Sequence, residues 1–433
     1  MSAAVARRWR RGLAPGLLLA AIAGPVAWAW PHGVGSWRGV GIVSAWVGSG
    51  ALVASLALMV REPRWAAALG GLEHLYRWHH RSGVLGYLAL LLHPLALAWE
   101  GRGESARVAW QVLTPWPNDP AVQLGWLALL ALVAGMTTTF AMRLRYRAWR
   151  RWHLGLGAGV VLALLHMALL LGNDAVLLVL AATSAAALAW RIVRSDLGVA
   201  ASPYRAAQVR RVTPQMIETT LEPLAGVMPL HPGQFVLAAF GDGPHYAGCA
   251  EFHPFTVSAI EPGGRIALAI KALGPCTQHL QRLQPDTLVR LQGPFGDFLA
   301  DTAQARQLWI AGGVGITPFI ARLRQGLLAQ PTHLVYAVRR REDAAFVDEL
   351  EIHARSAPHF TLGLQIDTAP VATIAAWLEP VAGLHERFYA GGPGQLLELR
   401  GFQYRGMGPH DDNFANGGSG GVAVNLEYVF PMV

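Results

Sequence analysis

Four histidines lie inside apolar stretches of this chain, and they are the residues best placed for chemistry. They are His79, His93, His153 and His166. A histidine in hydrocarbon is unfavourable unless a polar group, a protein partner or a metal satisfies it, so four at matching depths need a shared explanation. Ligation of two stacked b-type haems by paired imidazoles is one explanation. Hydrogen bonds to neighbouring helices, or a path for protons, are the alternatives.

The spacing of these histidines along their helices is compatible with two levels in the membrane, one with His79 and His153 and the other with His93 and His166. Fourteen residues separate His79 from His93, a rise of about 21 Å with about 40° of rotation in an α-helix, so both can face one neighbouring helix. Thirteen residues separate His153 from His166, which leaves these two about 140° apart, and we expect their helix to tighten, tilt or deform locally. His80 competes with His79 as a ligand.

The elements that must position these histidines are long hydrophobic segments in the first 195 residues. The chain has 433 residues, of which 53% are hydrophobic and 14% are charged. Segments that reach or approach the roughly 20 residues needed to cross a bilayer cover residues 13–30, 39–60, 79–99, 121–142, 153–172 and 174–190. We therefore expect an all-α bundle of six transmembrane helices over residues 1–200.

The formal net charge of +8 comes mainly from arginines at the ends of these segments. The arginines cluster at residues 7–11, 61–77, 143–151 and 191–194. By the positive-inside rule, this pattern predicts an inner-membrane protein with both termini in the cytoplasm. The charge thus reports membrane orientation, and we expect no nucleic acid partner. A cleaved signal peptide is an alternative for the first segment.

Two cysteines, Cys249 and Cys276, follow the hydrophobic part of the chain. They are too few for a cysteine metal cluster. They imply no disulfide framework, as suits a reducing compartment.

The pattern changes at about residue 203, where short β-type runs are separated by Gly and Pro. The runs include GQFVLAAF, HPFTVSAI and RIALAIKAL. Short strands with frequent turns predict a small antiparallel β-barrel over residues 201–300.

The segment HPFTVSA resembles ferredoxin-reductase-type flavoproteins, in the version found in membrane ferric reductases and NADPH oxidases. With the histidine pairs, this resemblance covers residues from about 40 to 395 and implies an FAD-binding barrel. It implies that Phe255 lies against the flavin ring and that Thr256 hydrogen-bonds near its reactive edge, which makes these two the candidate catalytic residues. Further FAD-binding positions implied by the resemblance are His253, Pro254, Ser258, Lys271, Gly274 and Thr277.

The segment RQLWIAGGVGITPFIARLRQGL predicts a strand, a glycine turn and an amphipathic helix. Gly312, Gly313 and Gly315 permit close backbone approach, and Thr317 and Pro318 open a helix whose N-terminus favours phosphate. In the resembling family this loop binds the nicotinamide cofactor. Residues 301–433 are therefore expected to form an NAD(P)-binding α/β domain with a parallel sheet.

Arg339 and Arg340 follow the next predicted strand, where a cation can meet an adenosine 2′-phosphate and modestly favours NADPH over NADH. In RFYAGGPGQL, Gly391 stands where the family commonly has cysteine, and Gly392 and Pro393 follow as further cofactor-binding positions. The Gly- and Asn-rich tail after this segment does not match the family's last helix and strand.

The resemblance implies a membrane flavocytochrome that passes electrons from cytoplasmic NAD(P)H through FAD and two haems to an extracytoplasmic acceptor. A ferric chelate is slightly preferred as the acceptor, and reduction of dioxygen to superoxide is the alternative. A third interpretation is an electron-relay subunit for a membrane or periplasmic partner protein. A fourth interpretation is a transporter whose histidines relay protons, and such a protein would contain no haem.

Overall fold

A computed structural model describes residues 3–30, 36–116, 119–140, 146–299, 306–366, 387–391, 410–411, 414–415 and 422–424. The chain divides into two compact units, residues 1–199 and 200–432. The first unit is helical. The second contains all the strands that the structure describes.

Helices of the first unit follow one another with short connections. They are α1 (Ala3–Trp28), α2 (Trp37–Leu58), α3 (Pro63–Ala68), α4 (Leu72–Arg102), α5 (Ala106–Leu113), α6 (Pro120–Phe140), α7 (Tyr146–Leu171) and α8 (Ala175–Trp190). A π-helical turn, Arg191–Asp196, continues α8. Polar side chains begin several of these helices, because the first N–H groups of a helix lack partners within it. Ser36 caps α2 in this way, and Asp174 caps α8.

Five helices in the described residues are long and apolar enough to cross a membrane, namely α2, α4, α6, α7 and α8 with its π-helical turn. They confirm five of the six predicted spans. The apolar part of α1, Gly12–Trp28, has 17 residues and is shorter than the usual span. The predicted span at residues 13–30 therefore stays a prediction.

Glycines allow two helix pairs to approach closely. A Cβ at Gly86 of α4 would lie 3.1 Å from the backbone oxygen of Gly48 of α2, so these two backbones nearly touch. A Cβ at Gly135 of α6 would lie 2.3 Å from Leu156 of α7. Small residues at such crossings let membrane helices pack through their backbones. The result is that α2 packs on α4 and α6 packs on α7.

The helix α7 is α-helical from Tyr146 to Leu171. No 3₁₀ or π turn interrupts the described residues 146–171, so α7 does not tighten into another helix type between His153 and His166. The tilt expected as the alternative stays a prediction.

The first part of the second unit is a closed antiparallel barrel, which confirms the prediction. Its strands are β1 (Ser202–Thr213), β2 (Met216–Pro223), β3 (Phe235–Phe240), β4 (His253–Ile260), β5 (Ile266–Lys271) and β6 (Leu288–Phe295), in the order β1-β2-β5-β4-β3-β6. A short helix, α9 (Pro275–His279), follows β5. Alternate positions of β3 and β4, such as Val236, Ala238, Phe255 and Val257, form the barrel core.

The second part of this unit is a parallel sheet with helices, as predicted. Its elements are β7 (Gln307–Gly312), α10 (Thr317–Leu323), β8 (Thr332–Val338), α11 (Val347–Ser356), β9 (Phe360–Ile366) and β10 (Arg387–Gly391). The strand β13 (Val422–Val424) extends the sheet to the order β13-β10-β7-β8-β9, and β11 (His410–Asp411) pairs with β12 (Phe414–Ala415). Strand order reverses between β7 and β10, which is where ligands bind in open parallel sheets.

One prediction about the cysteines is wrong. Cys249 and Cys276 form a disulfide across 27 residues of sequence. Their spacing could not show this, because β4 and β5 lie between them in sequence and the barrel brings the two cysteines together.

Candidate functional site

His79 and His153 form the first histidine pair, with ring centroids 5.9 Å apart. Nδ1 of His79 lies 2.8 Å from the Ser55 hydroxyl and 3.0 Å from the Ser55 carbonyl oxygen on α2. Nδ1 of His153 lies 3.4 Å from the Thr139 hydroxyl on α6, and its ring stacks on Trp149.

His93 and His166 form the second pair, and each is held by a backbone carbonyl group. Nδ1 of His93 lies 2.8 Å from the oxygen of Gly41 on α2. Nδ1 of His166 lies 2.7 Å from the oxygen of Ala121 on α6. Gly125 makes room for the His166 ring, since a Cβ there would lie 2.9 Å from two of its atoms.

These contacts assign the proton on each imidazole. A carbonyl oxygen only accepts, so Nδ1 of His79, His93 and His166 carries the hydrogen. The Thr139 hydroxyl donates to Gly135 O, which leaves it to accept from His153. Each Nε2 then has a free lone pair, as an imidazole that binds a metal requires. The hydrogen bond at Nδ1 fixes the orientation of the imidazole ring, as hydrogen-bond partners of ligating histidines do in metal sites.

The distance within the first pair suits two ligands of one metal ion. Two metal–nitrogen bonds of about 2 Å and two ring radii of about 1 Å require about 6 Å between centroids. His80 is exposed, whereas His79 is partly buried and faces His153. His79 is therefore the better candidate of the two. The residues present fit the haem ligation that the sequence predicts.

The predicted flavin residues of β4 divide between two faces of the strand. Phe255 packs in the barrel core with Phe240, at 6.0 Å between ring centroids. Thr256 and Ser258 point to the opposite face because side chains alternate along a strand. His253 is buried and Pro254 is exposed. The structure thus does not bring Phe255 and Thr256 to one surface, and the flavin roles of the β4 residues stay predictions.

Thr277 of α9 hydrogen-bonds to the backbone of the turn that precedes this helix. The Thr277 hydroxyl accepts hydrogen bonds from the backbone N–H groups of Leu273 and Gly274, both at 2.9 Å. The Lys271 side chain points away from this turn and towards Gly313, since a Cβ added at Gly313 would lie 3.4 Å from Nζ of Lys271. A lysine from the barrel therefore reaches the glycine turn of the parallel sheet, which sequence reasoning had not placed there.

The glycine turn occupies the point where strand order reverses. Gly312 ends β7, one residue after Ala311, which pairs with Gly391 at the end of β10. Gly313 has a φ of +52°, which favours glycine. The Tyr336 hydroxyl donates to Gly313 O at 3.2 Å. Burial raises the pKa of Tyr336, so this donor keeps its proton.

The helix after the turn begins inside the core. Gly315, Thr317 and Pro318 are buried, and Thr317 donates to Val314 O at 3.0 Å. These contacts fix the shape of the turn, and its role in phosphate binding stays a prediction.

The two arginines after β8 differ in their partners. Arg340 pairs with Asp343 at 3.1 Å and with Glu342 at 2.5 Å, so carboxylates of its own loop already hold it. Arg339 is exposed. Gly392 and Pro393 lie outside the described residues.

A charged network that sequence reasoning missed connects the barrel to the parallel sheet. Arg324, after α10, donates to Glu218 of β2 at 2.8 Å and to Glu349 of α11 at 2.7 Å. Ser258 donates to the same Glu218, and Arg210 contacts it as well. Glu218 lies on the face of β2 opposite to Ile217 and Leu221, which belong to the barrel core, so strand alternation does not show that this carboxylate is buried.

Electrostatics in this network are set by competing effects. Burial raises the pKa of the Glu218 carboxyl, but the charge and hydrogen bond of Arg324, with help from Ser258 and Arg210, bring the pKa below its usual range. Glu218 is therefore ionised at neutral pH, and the network is a structural ion cluster.

Known families match the two units separately. The ferric reductase like transmembrane component matches residues 44–164, and the oxidoreductase NAD-binding domain matches residues 309–371. The Omp85 superfamily domain matches residues 378–433, which contain the tail that the sequence analysis could not place.

Curated relatives match part of the chain. Methane monooxygenase component C of Methylosinus trichosporium is 30% identical over 36% of this chain and 47% of its own length. The toluate 1,2-dioxygenase electron transfer component of Pseudomonas putida is 26% identical over 42% and 56%. Ferredoxin–NADP reductase B of Sorangium cellulosum is 36% identical over 23% and 43%.

The chain spans about half the length of these relatives. The two oxidoreductase family matches cover part of the helical unit and part of the parallel sheet. The chain is therefore similar to a ferric reductase-like transmembrane component over residues 44–164 and to oxidoreductases of the ferredoxin-reductase type, as its motifs predicted.

Proposed function

We propose that this chain moves electrons from cytoplasmic NAD(P)H through FAD and two b-type haems to an acceptor beyond the inner membrane, with ferric iron as that acceptor. The observation that carries this proposal is the set of four intramembrane imidazoles whose Nδ1 atoms are all hydrogen-bonded to a neighbouring helix. Imidazoles that only stabilised the bundle would have no need to share one orientation of their nitrogens.

Each pair of histidines would hold one haem through Nε2. His79 and His153 lie near the starts of α4 and α7, which the arginine pattern places towards the cytoplasm, so they would form the inner site. His93 and His166 would form the outer site. The chemistry supplied on binding would be hydride acceptance by FAD and one-electron transfer by haem. The residues of the chain supply ligands and positions, and this transfer requires no general base.

The nucleotide would lie at the turn that Gly312 and Gly313 form. Its phosphates need close backbone approach, which the glycines allow, and a cation, which Lys271 offers. The Tyr336 hydroxyl holds the carbonyl group of Gly313 away from the phosphates. Either NADPH or NADH fits this arrangement, because Arg340 is already paired with Asp343.

The segment from residue 100 to residue 120 would be the approach for a ferric chelate. Two of its acidic side chains have structural partners: Glu100 accepts from the N–H of Arg38, and Asp119 accepts from the N–H of Ala121. These contacts favour an acceptor that binds from solution without tight coordination by the loop.

The haem assignment is tested by ligand variants of the full chain in membranes. We expect two low-spin b-type haems per wild-type chain and about one in His93→Ala or His166→Ala, measured by reduced-minus-oxidised spectra and pyridine haemochrome content. His80→Ala is the matched control on the same helix and should keep both haems. Equal haem content in all four proteins would refute the ligand assignment.

The acceptor is tested in proteoliposomes that contain NAD(P)H and one acceptor at a time. The proposal predicts ferrous iron formation with a ferric chelate and little superoxide with dioxygen. The reverse result would show an oxidase. Slow turnover with both, restored by a partner protein, would show a relay subunit.

A further inference from the structure

A second cluster of metal-binding side chains lies in the barrel, apart from the four histidines. Cys249, His253 and Cys276 each offer one ligand atom, and these three atoms all lie within 4.8 Å of one another. His253 is buried and the cysteines are half-buried. Glu251 adds a fourth group, since its carboxylate oxygen lies 3.7 Å from Nε2 of His253.

Contacts other than the disulfide hold the two cysteines near each other. Nε2 of His279 on α9 hydrogen-bonds to Ala247 O at 2.7 Å, and its ring stacks on Tyr246 at 5.0 Å. The N–H of Gly248 donates to the Asp242 carboxylate at 2.9 Å. The loop before β4 is thus held on α9 through His279 and is closed on itself through Asp242. Reduction of the disulfide would therefore leave the sulfur atoms close together.

The chemistry of this donor set suits zinc. Zinc takes four ligands in a tetrahedron, with bonds of about 2.3 Å to thiolate sulfur and about 2.0 Å to imidazole nitrogen, so neighbouring ligand atoms lie about 3.5–3.8 Å apart. Two thiolates, an imidazole and a carboxylate complete this coordination. Soft sulfur ligands select zinc over magnesium or calcium.

We propose that, once reduced, Cys249 and Cys276 bind one Zn²⁺ together with His253 and Glu251. A cellular dithiol supplies two electrons and two protons that convert the disulfide to two thiols, and the dithiol is itself oxidised to a disulfide. Zinc binding then releases the two thiol protons. The inference rests on the cytoplasmic location given under the proposed function, because a reducing compartment maintains thiols.

The site is tested by zinc retention in the full-length protein, purified in detergent with and without a dithiol reductant. We expect about one zinc per chain after dialysis of the reduced protein and none in the oxidised protein. Cys276→Ser and His253→Ala should each lose the retained zinc. His231→Ala, which changes an exposed histidine of the same barrel unit, should keep it.

A cobalt measurement on the reduced wild-type protein needs no variant and is therefore independent of folding defects. Co²⁺ should give thiolate-to-metal charge-transfer absorption, which Zn²⁺ then displaces. Absence of this absorption, or equal zinc in wild type and Cys276→Ser, would overturn the proposal. Neither readout uses NAD(P)H, haem or an acceptor, so failure of the electron-transfer proposal would be separately visible.

Discussion

The four histidines of the helical unit and the Glu218 network of the second unit are partly or fully buried polar groups that are satisfied by different means. In the helical unit, neutral imidazoles bind carbonyl and hydroxyl groups of the adjacent helix, as His93 does with Gly41. In the second unit, Arg324 and Glu218 form an ion network between the barrel and the parallel sheet. A charge in hydrocarbon is far more unfavourable than a neutral hydrogen-bonded group, whereas a barrel in contact with water tolerates paired ions.

The difference teaches that a buried polar residue has to be interpreted with its surroundings. Neutral partners in the membrane unit orient a nitrogen atom and leave it ready to bind a metal. Charged partners in the second unit bind each other and stabilise a junction. The predictions below test this contrast from the largest expected effect to the smallest.

The largest effect is expected from filling the space beside a ligand. In Gly125→Val the new side chain would overlap the His166 ring, because even a Cβ would lie 2.9 Å from it. We expect loss of the His93–His166 haem, about half of the total, in haemochrome measurements. Gly155→Val on α7 is the control, since no atom lies within 4 Å of a Cβ there. Equal haem in the two variants would contradict the assignment.

Removing the central cation of the second unit should be the next largest effect. Arg324→Met leaves the buried Glu218 carboxylate without its main partner, which lowers the free energy of unfolding by about 3 kcal/mol. Hydrogen exchange of the full chain should show faster exchange in β2 and β4.

Arg340→Met is the comparison variant for Arg324→Met, since Arg340 is exposed and pairs with Glu342 and Asp343 of its own loop. Its effect on the free energy of unfolding should be much smaller than that of Arg324→Met. Similar exchange in the two variants would show that the network contributes little stability.

Outer partners of the first histidine pair should have a smaller, graded effect. Ser55→Ala removes a hydroxyl 2.8 Å from Nδ1 of His79 and should weaken haem retention about 10-fold. Thr139→Ala removes a contact of 3.4 Å to His153 and should change it less. Haem release to apomyoglobin measures both. A larger effect for Thr139→Ala would contradict this order.

The smallest effect concerns acid pH. The pKa of Glu218 is lowered in the folded chain from an ordinary value of 4.5, so its ion pairs stabilise the protein above that pH. This stability is lost as the pH falls through the lowered pKa. The difference in melting temperature between wild type and Glu218→Gln should therefore shrink below pH 4.5. A constant difference at every pH would show that the carboxylate charge is unimportant.

Several parts of the fold could be predicted because local pattern is enough to define them. Five spans, the barrel and the parallel sheet follow from hydrophobic length, alternating strands and a glycine turn. The disulfide and the lysine at Gly313 could not be predicted, because strands and a turn separate these residues in sequence. The expected change of helix type in α7 does not occur, since both of its histidines contact α6 from an unbroken α-helix.

The sequence by itself determined the residue types, their depth in apolar segments and the order of the domains, because these depend on composition and on the distance along a helix or strand. Only the tertiary structure decided which nitrogen each histidine presents, that His79 and not His80 faces His153, and which ions surround Glu218. These properties depend on groups from helices and strands that are distant in the chain, and no local pattern encodes which of those groups come into contact.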